Sequence, residues 1–134
     1  MGTKPLALII EDNDDQALVF TAALERAGYE AEAIQDGLTA RRRLGQVVPR
    51  MIILDLHIPG MDGGSLLAYI RGNPRLKDVP VMLATADATF AASLESQADL
   101  VLLKPISFSQ LSDLAARYFR TLQAQDPPPS GSPG

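Results

Sequence analysis

Five short segments of strand character, separated by stretches with helical spacing, limit what this chain can fold into. They are Leu6–Ile10, Glu30–Ile34, Met51–Leu54, Val79–Ala84 and Asp99–Leu103. Apolar runs without alternation suit strands covered on both faces, so the first, third, fourth and fifth read as central and parallel. Glu30, Ala31, Glu32 and Ala33 alternate instead, which suits an edge. Between the segments, Ala17, Phe20, Leu24 and Ala27 share one helical stripe that ends at Gly28, a plausible terminator. Ser107 and Gln110 have capping-box spacing at the start of a last helix through Leu111, Leu114, Ala115 and Tyr118. Strand and helix alternating five times predict an α/β fold with a doubly wound five-stranded parallel sheet, order 2-1-3-4-5, and five helices.

The chain has 134 residues, one domain's worth, and is long enough to bury a core without staples. No cysteine is present, which excludes disulfides and thiolate zinc sites. We divide it into a leader at 1–4, a folded unit at 5–123 and a disordered Pro/Gly/Ser tail at 124–134. The longest apolar runs are five residues, far short of a membrane span, and no apolar secretory segment opens the chain, so a cytoplasmic location is expected. A net charge of −4 argues against a nucleic-acid partner, and Arg41, Arg42 and Arg43 read as a solvated helix face.

The chemistry lies where the strands stop. Asp55 follows Met51–Leu54 and precedes the turn Pro59-Gly60-Met61-Asp62-Gly63, so its carboxylate stands at the carboxyl edge of a central strand. In open parallel sheets that edge is where ligands bind. Glu11 and Asp12 end the first strand, while Asn13, Asp14 and Asp15 suit the cap and first turn of the helix that follows. If the first and third strands are neighbours, Glu11, Asp12 and Asp55 converge. Two unit charges about 4 Å apart repel by ~4 kcal/mol at an effective dielectric near 20, so a cation is required. A hard divalent ion with few protein oxygens and several waters points to Mg²⁺. Lys104 delivers an ammonium to the same edge and Thr85 a hydroxyl, which completes a set suited to a tetrahedral anion beside a metal.

Glu11-Asp12, Asp55 with Pro59 to Gly63, Thr85-Ala86 and Lys104-Pro105 together resemble the receiver domain of two-component response regulators, over residues 5 to 123. The resemblance implies a stand-alone, phosphorylation-controlled signalling switch. Asp55 is then the phosphoacceptor, supplied by a sensor histidine kinase or a histidine phosphotransfer protein. Asp12, Asp55 and the backbone carbonyl of His57 bind Mg²⁺, with Glu11 acting through water. Lys104 and Thr85 contact phosphoryl oxygens. The surface of the fourth helix, fifth strand and fifth helix then docks a downstream protein target, and a homodimer through the last helix would take Phe90, Leu94, Tyr118 and Phe119 as candidate contacts. The chain departs from the family pattern at Val101, where Tyr or Phe is usual, so an aromatic switch is not implied. His57 and Asp87, two residues beyond Asp55 and Thr85, should flank the pocket, with His57 an exposed side chain contributing only its carbonyl.

Three other readings compete with a switch. A phosphorelay shuttle would use the same residues and pass the phosphoryl group onward. A magnesium phosphatase with an aspartyl nucleophile wants an acid two residues after Asp55, where His57 stands instead. A flavodoxin-like cofactor binder wants a phosphate loop after the first strand, and the acidic run occupies that place. A turnover enzyme is therefore not expected.

Overall fold

The computed structural model describes residues 4–125. Of the leader expected at 1–4 and the tail expected at 124–134, residues 1–3 and 126–134 lie outside the described residues, while 124 and 125 belong to the last helix. Five parallel strands, β1 (Leu6–Ile10), β2 (Glu30–Ile34), β3 (Met51–Leu54), β4 (Val81–Thr85) and β5 (Leu100–Leu103), pair in the order β2-β1-β3-β4-β5. The helices are α1 (Asp14–Arg26), α2 (Gly37–Leu44), α3 (Gly63–Gly72), α4 (Ala88–Ser93) and α5 (Phe108–Gln125), with a single 3-10 turn at Glu95–Gln97.

Successive side chains of a strand face opposite sides, and that divides the core in two. Ala7, Ile9, Met51, Ile53, Met82 and Ala84 meet Phe20, Ala23, Leu24, Leu111 and Ala115 of α1 and α5. Leu8, Ile10, Ile52, Leu54, Val81 and Leu83 meet Leu44, Leu66, Leu67, Ile70 and Ala91 of α2, α3 and α4. Each helix starts on a side-chain cap that satisfies an orphan amide. Asn13 accepts from Gln16 N at 2.9 Å, Asp36 from Thr39 N at 2.8 Å and Asp62 from Ser65 N at 3.0 Å. Asp87 accepts from Phe90 N at 2.9 Å and Ser107 from Gln110 N at 3.0 Å. Gly28 turns the chain out of α1 at φ +111°, and a Cβ there would stand 2.8 Å from the Phe119 ring.

Two strand expectations need correction. β4 begins at Val81 and not at Val79, because Pro80 has no N–H to donate; its carbonyl instead accepts from Ile52 N at 2.9 Å. β5 begins at Leu100 and is an edge strand, only partly covered, with Leu103 50% exposed. Its apolar run therefore does not mark a central position. The arginine run also makes specific contacts: Arg43 grips Glu32 through Nε at 2.8 Å and Nη2 at 2.9 Å, and the Arg41 guanidinium lies 5.0 Å from the Tyr69 ring centre. Among the described residues no helix is long and apolar enough to cross a membrane.

Candidate functional site

Pairing of β1 with β3, Ile10 opposite Leu54, brings the residues that follow these strands to one place. Asp55 N donates to Ile10 O at 3.0 Å and Glu11 N to Ile34 O at 2.9 Å, so both backbones are fixed before their side chains diverge from the sheet. Glu11 and Asp55 are buried, Asp12 is exposed, and ligand oxygens of all three lie within 4.8 Å of one another. Three hard oxygens at that spacing, one of them facing solvent, fit a small hydrated divalent cation.

Lys104 reaches this cluster from the end of β5. Its Nζ lies 2.7 Å from Glu11 Oε1 and 2.9 Å from Asp55 Oδ2, with a side chain only 14% exposed. The Lys104-Pro105 peptide is cis. Burial alone would lower the lysine's pKa, but its hydrogen bonds to Glu11 and Asp55 outweigh that and hold it above its ordinary value. Burial pushes the Glu11 carboxyl up, against the hydrogen bond from Lys104 and the one from Asn13 N at 3.2 Å. The ammonium, therefore, is firmly charged, and it offsets two carboxylates at once.

Asp55 is held at both oxygens, since His57 N donates to Oδ1 at 3.2 Å while Lys104 donates to Oδ2. Thr85, fully buried at the end of β4, has its carbonyl bonded to Lys104 N at 2.9 Å and its hydroxyl oxygen to Asp87 N at 3.1 Å. Thus Glu11, Asp12, Asp55, Thr85 and Lys104 gather at one sheet edge, as their places in the sequence predict.

The expectation for His57 was incomplete. Its side chain is 64% exposed, yet Nε2 lies 2.7 Å from Asp87 Oδ2 and the ring stands edge-on to Phe90 at 5.8 Å between centres. The Phe90 amide, then the His57 side chain, hold the Asp87 carboxyl below its ordinary range. Equal offsets from Asp55 and Thr85, at the ends of neighbouring strands, are the signal in the sequence for this pairing.

Comparison with known proteins identifies the class. Residues 7–116 match the response regulator receiver domain, and the chain belongs to that family. It is 32% identical over 117 residues to a probable methanogenesis regulatory protein, FilR2, of Methanothrix harundinacea, covering 79% of this chain and 76% of that one. It is 31% identical over 110 residues to the DNA-binding dual master transcriptional regulator RpaA of Synechocystis sp., covering 80% of this chain but only 46% of the longer relative. Among solved structures, the receiver domain of the sensor histidine kinase PA1611 from Pseudomonas aeruginosa, with a magnesium ion coordinated in its active site cleft, superposes with a TM-score of 0.79 at 26% identity. The match covers 88% of this chain and 99% of that one. Receiver domains are signalling switches controlled by phosphorylation, and not turnover enzymes. They bind Mg²⁺ or Mn²⁺ at an acidic pocket, and this chain carries that acidic group.

Proposed function

We propose that Asp55 accepts a phosphoryl group from a sensor histidine kinase or a histidine phosphotransfer protein. The observation that carries this reading is the double bridge from Lys104 to Glu11 and Asp55, with Asp12 close enough to share a cation. Asp12, Asp55 and the His57 carbonyl would hold Mg²⁺ directly, and Glu11 through water. Bound there, Mg²⁺ supplies positive charge that neutralises the phosphoryl oxygens.

This chain's own residues do the rest. Lys104 and the His57 N–H fix the Asp55 carboxylate, and one carboxylate oxygen bonds to phosphorus as the phosphorus–nitrogen bond of the donor phosphohistidine breaks. The imidazole leaves with the electron pair of that bond. Lys104 then pairs with a phosphoryl oxygen, and the Thr85 hydroxyl donates to another. Hydrolysis of the acyl phosphate returns the aspartate and releases inorganic phosphate.

The face formed by α4, β5 and α5 would dock a downstream protein or a second copy of this chain, using Leu103 and Phe108, both exposed. Phe119, a candidate dimer contact from the sequence, is not offered to such a partner, because it packs edge-on against Tyr29 at 5.5 Å. A radiolabelled histidine phosphotransfer domain mixed with this protein and Mg²⁺ should lose label to the wild type and keep it with Asp55→Asn. Equal transfer to the variant would refute the assignment, and return of the label to the donor would mark a relay shuttle.

A further inference from the structure

We infer that His57, Asp87 and Phe90 form the relay between Asp55 and α4, the part that an aromatic side chain on β5 cannot play here. The inference rests on the phosphoacceptor role of Asp55 and adds the route by which its state is read.

Asp87 makes three contacts at once. Its N–H donates to Thr85 Oγ1 at 3.1 Å, its Oδ1 caps α4 at Phe90 N at 2.9 Å, and its Oδ2 holds His57 Nε2 at 2.7 Å. His57 in turn donates its backbone N–H to Asp55 Oδ1 at 3.2 Å and sets its ring edge-on to Phe90, 61° between planes. Phe90 also packs close to Gly64, where a Cβ would lie 2.9 Å from its Cζ. The phenyl ring thus meets both the first turn of α3 and the imidazole, and acts as a wedge for α4.

The element it holds is weakly anchored otherwise. α4 is six residues long and Ala91 is its one buried residue, so the Asp87 cap and the Phe90 wedge are a large share of what fixes it. Segments with few buried apolar contacts open at low free energy. Val101, by contrast, packs at the margin of the core on the α2, α3 and α4 side and has no ring to swing.

As a source of stability the His57–Asp87 pair is worth little, since exposed ion pairs contribute ~0–1 kcal/mol. Its place in the chain of contacts matters more. A phosphoryl group brings a charge of roughly −1.5 to −2 and strong acceptor oxygens. On Asp55 it repels the Asp87 carboxylate and competes for the imidazole N–H. Thr85, drawn toward the phosphoryl oxygens, pulls on the Asp87 amide. His57 leaves Asp87 and Phe90, the wedge opens, and α4 shifts its exposed face.

Backbone ¹⁵N NMR with Mg²⁺ and beryllofluoride, a phosphoryl mimic, tests this on wild type, Phe90→Ala and Asp87→Asn. Asn retains a capping oxygen, and neither substitution alters a residue assigned to the metal or phosphoryl site. In the wild type, amides of Leu56 and Gly63 beside Asp55 and of Ala91, Ala92 and Ser93 in α4 should all shift. In both variants the first group should still shift and the α4 group should lose most of its response. Unchanged α4 shifts in the variants overturn the relay while leaving the phosphoacceptor reading intact, as does an α4 silent in wild type beside a responsive pocket. A wild-type pocket indifferent to beryllofluoride brings down both.

Discussion

The two layers covering the sheet are fastened by different chemistry. On one side α1 and α5, of 13 and 18 residues, bury Phe20, Leu24, Leu111 and Ala115 against the strands. Tyr29 ties this layer to itself, with its hydroxyl donating to Ala115 O at 3.3 Å and its ring edge-on to Phe119. On the other side α2 and α3 bury large apolar residues, but α4 is held mainly by Asp87, His57 and the half-buried Phe90. Arg71 of α3 pins the surroundings of α4 by donating to Lys77 O at 2.9 Å, Val79 O at 2.7 Å, Gln97 O at 2.7 Å and Asp99 Oδ2 at 2.9 Å. Of the three helices on this side, α4 buries the fewest residues, Ala91 alone. The proposed switch would benefit from that contrast, since a firmly packed frame would keep the proposed phosphoryl chemistry in register while a lightly anchored element reads it out.

The contrast can be broken most sharply by truncating a ring in each layer. Phe20→Ala should cost about 3–5 kcal/mol in urea unfolding, the usual range for emptying a buried phenyl site. Phe90→Ala should cost about 1 kcal/mol, as ordinary for a partly exposed position. Similar losses would mean that α4 is as firmly packed as α1.

Next in size is Lys104→Met, which strands two buried carboxylates and should cost about 3 kcal/mol at neutral pH. Its pH dependence has a definite sign. Lys104 has a folded pKa above 10.5, so its contribution is complete at neutral pH and is lost only on raising the pH through that higher value. Glu11, whose folded pKa is raised above 4.5, is disfavoured as the anion; acidification through its folded pKa neutralises it and removes the penalty. The gap between wild type and Lys104→Met should therefore narrow as the pH falls from neutral. A gap that widens would show that the ammonium does not offset these carboxylates.

The smallest expected effect is Tyr29→Phe, about 1 kcal/mol for one hydrogen bond lost at Ala115 O. Urea midpoints at an unchanged denaturant slope would measure it. No loss at all would mean that apolar packing alone ties α1 to α5.

Strand order and the meeting of Glu11, Asp12, Asp55, Thr85 and Lys104 were legible in the sequence. Strand ends in a doubly wound sheet are positioned by hydrophobic runs, and those runs are local. The starts of β4 and β5 were less legible, because Pro80 and Asp99 are set by hydrogen bonding: Asp99 Oδ2 accepts from Val81 N at 2.7 Å and Asp99 N donates to Val81 O at 2.9 Å. The edge position of β5 was masked by Leu100, Val101, Leu102 and Leu103, all apolar although two of the four are only partly covered and Leu103 is half-exposed. Matched offsets from Asp55 and Thr85 signal the pairing of His57 with Asp87, but the contact of His57 with Phe90 depends on loop conformation between distant segments, which no local pattern encodes.

Asp55 as the site of phosphoryl transfer underlies every other role proposed here. Incubation of the protein with Mg²⁺ and acetyl phosphate, followed by intact mass and peptide mapping, puts that role to the test. We expect one added phosphoryl group on the peptide containing Asp55, labile to hydroxylamine, dependent on the metal and absent from Asp55→Asn. No addition in the presence of Mg²⁺, or an equal addition to Asp55→Asn, would contradict it.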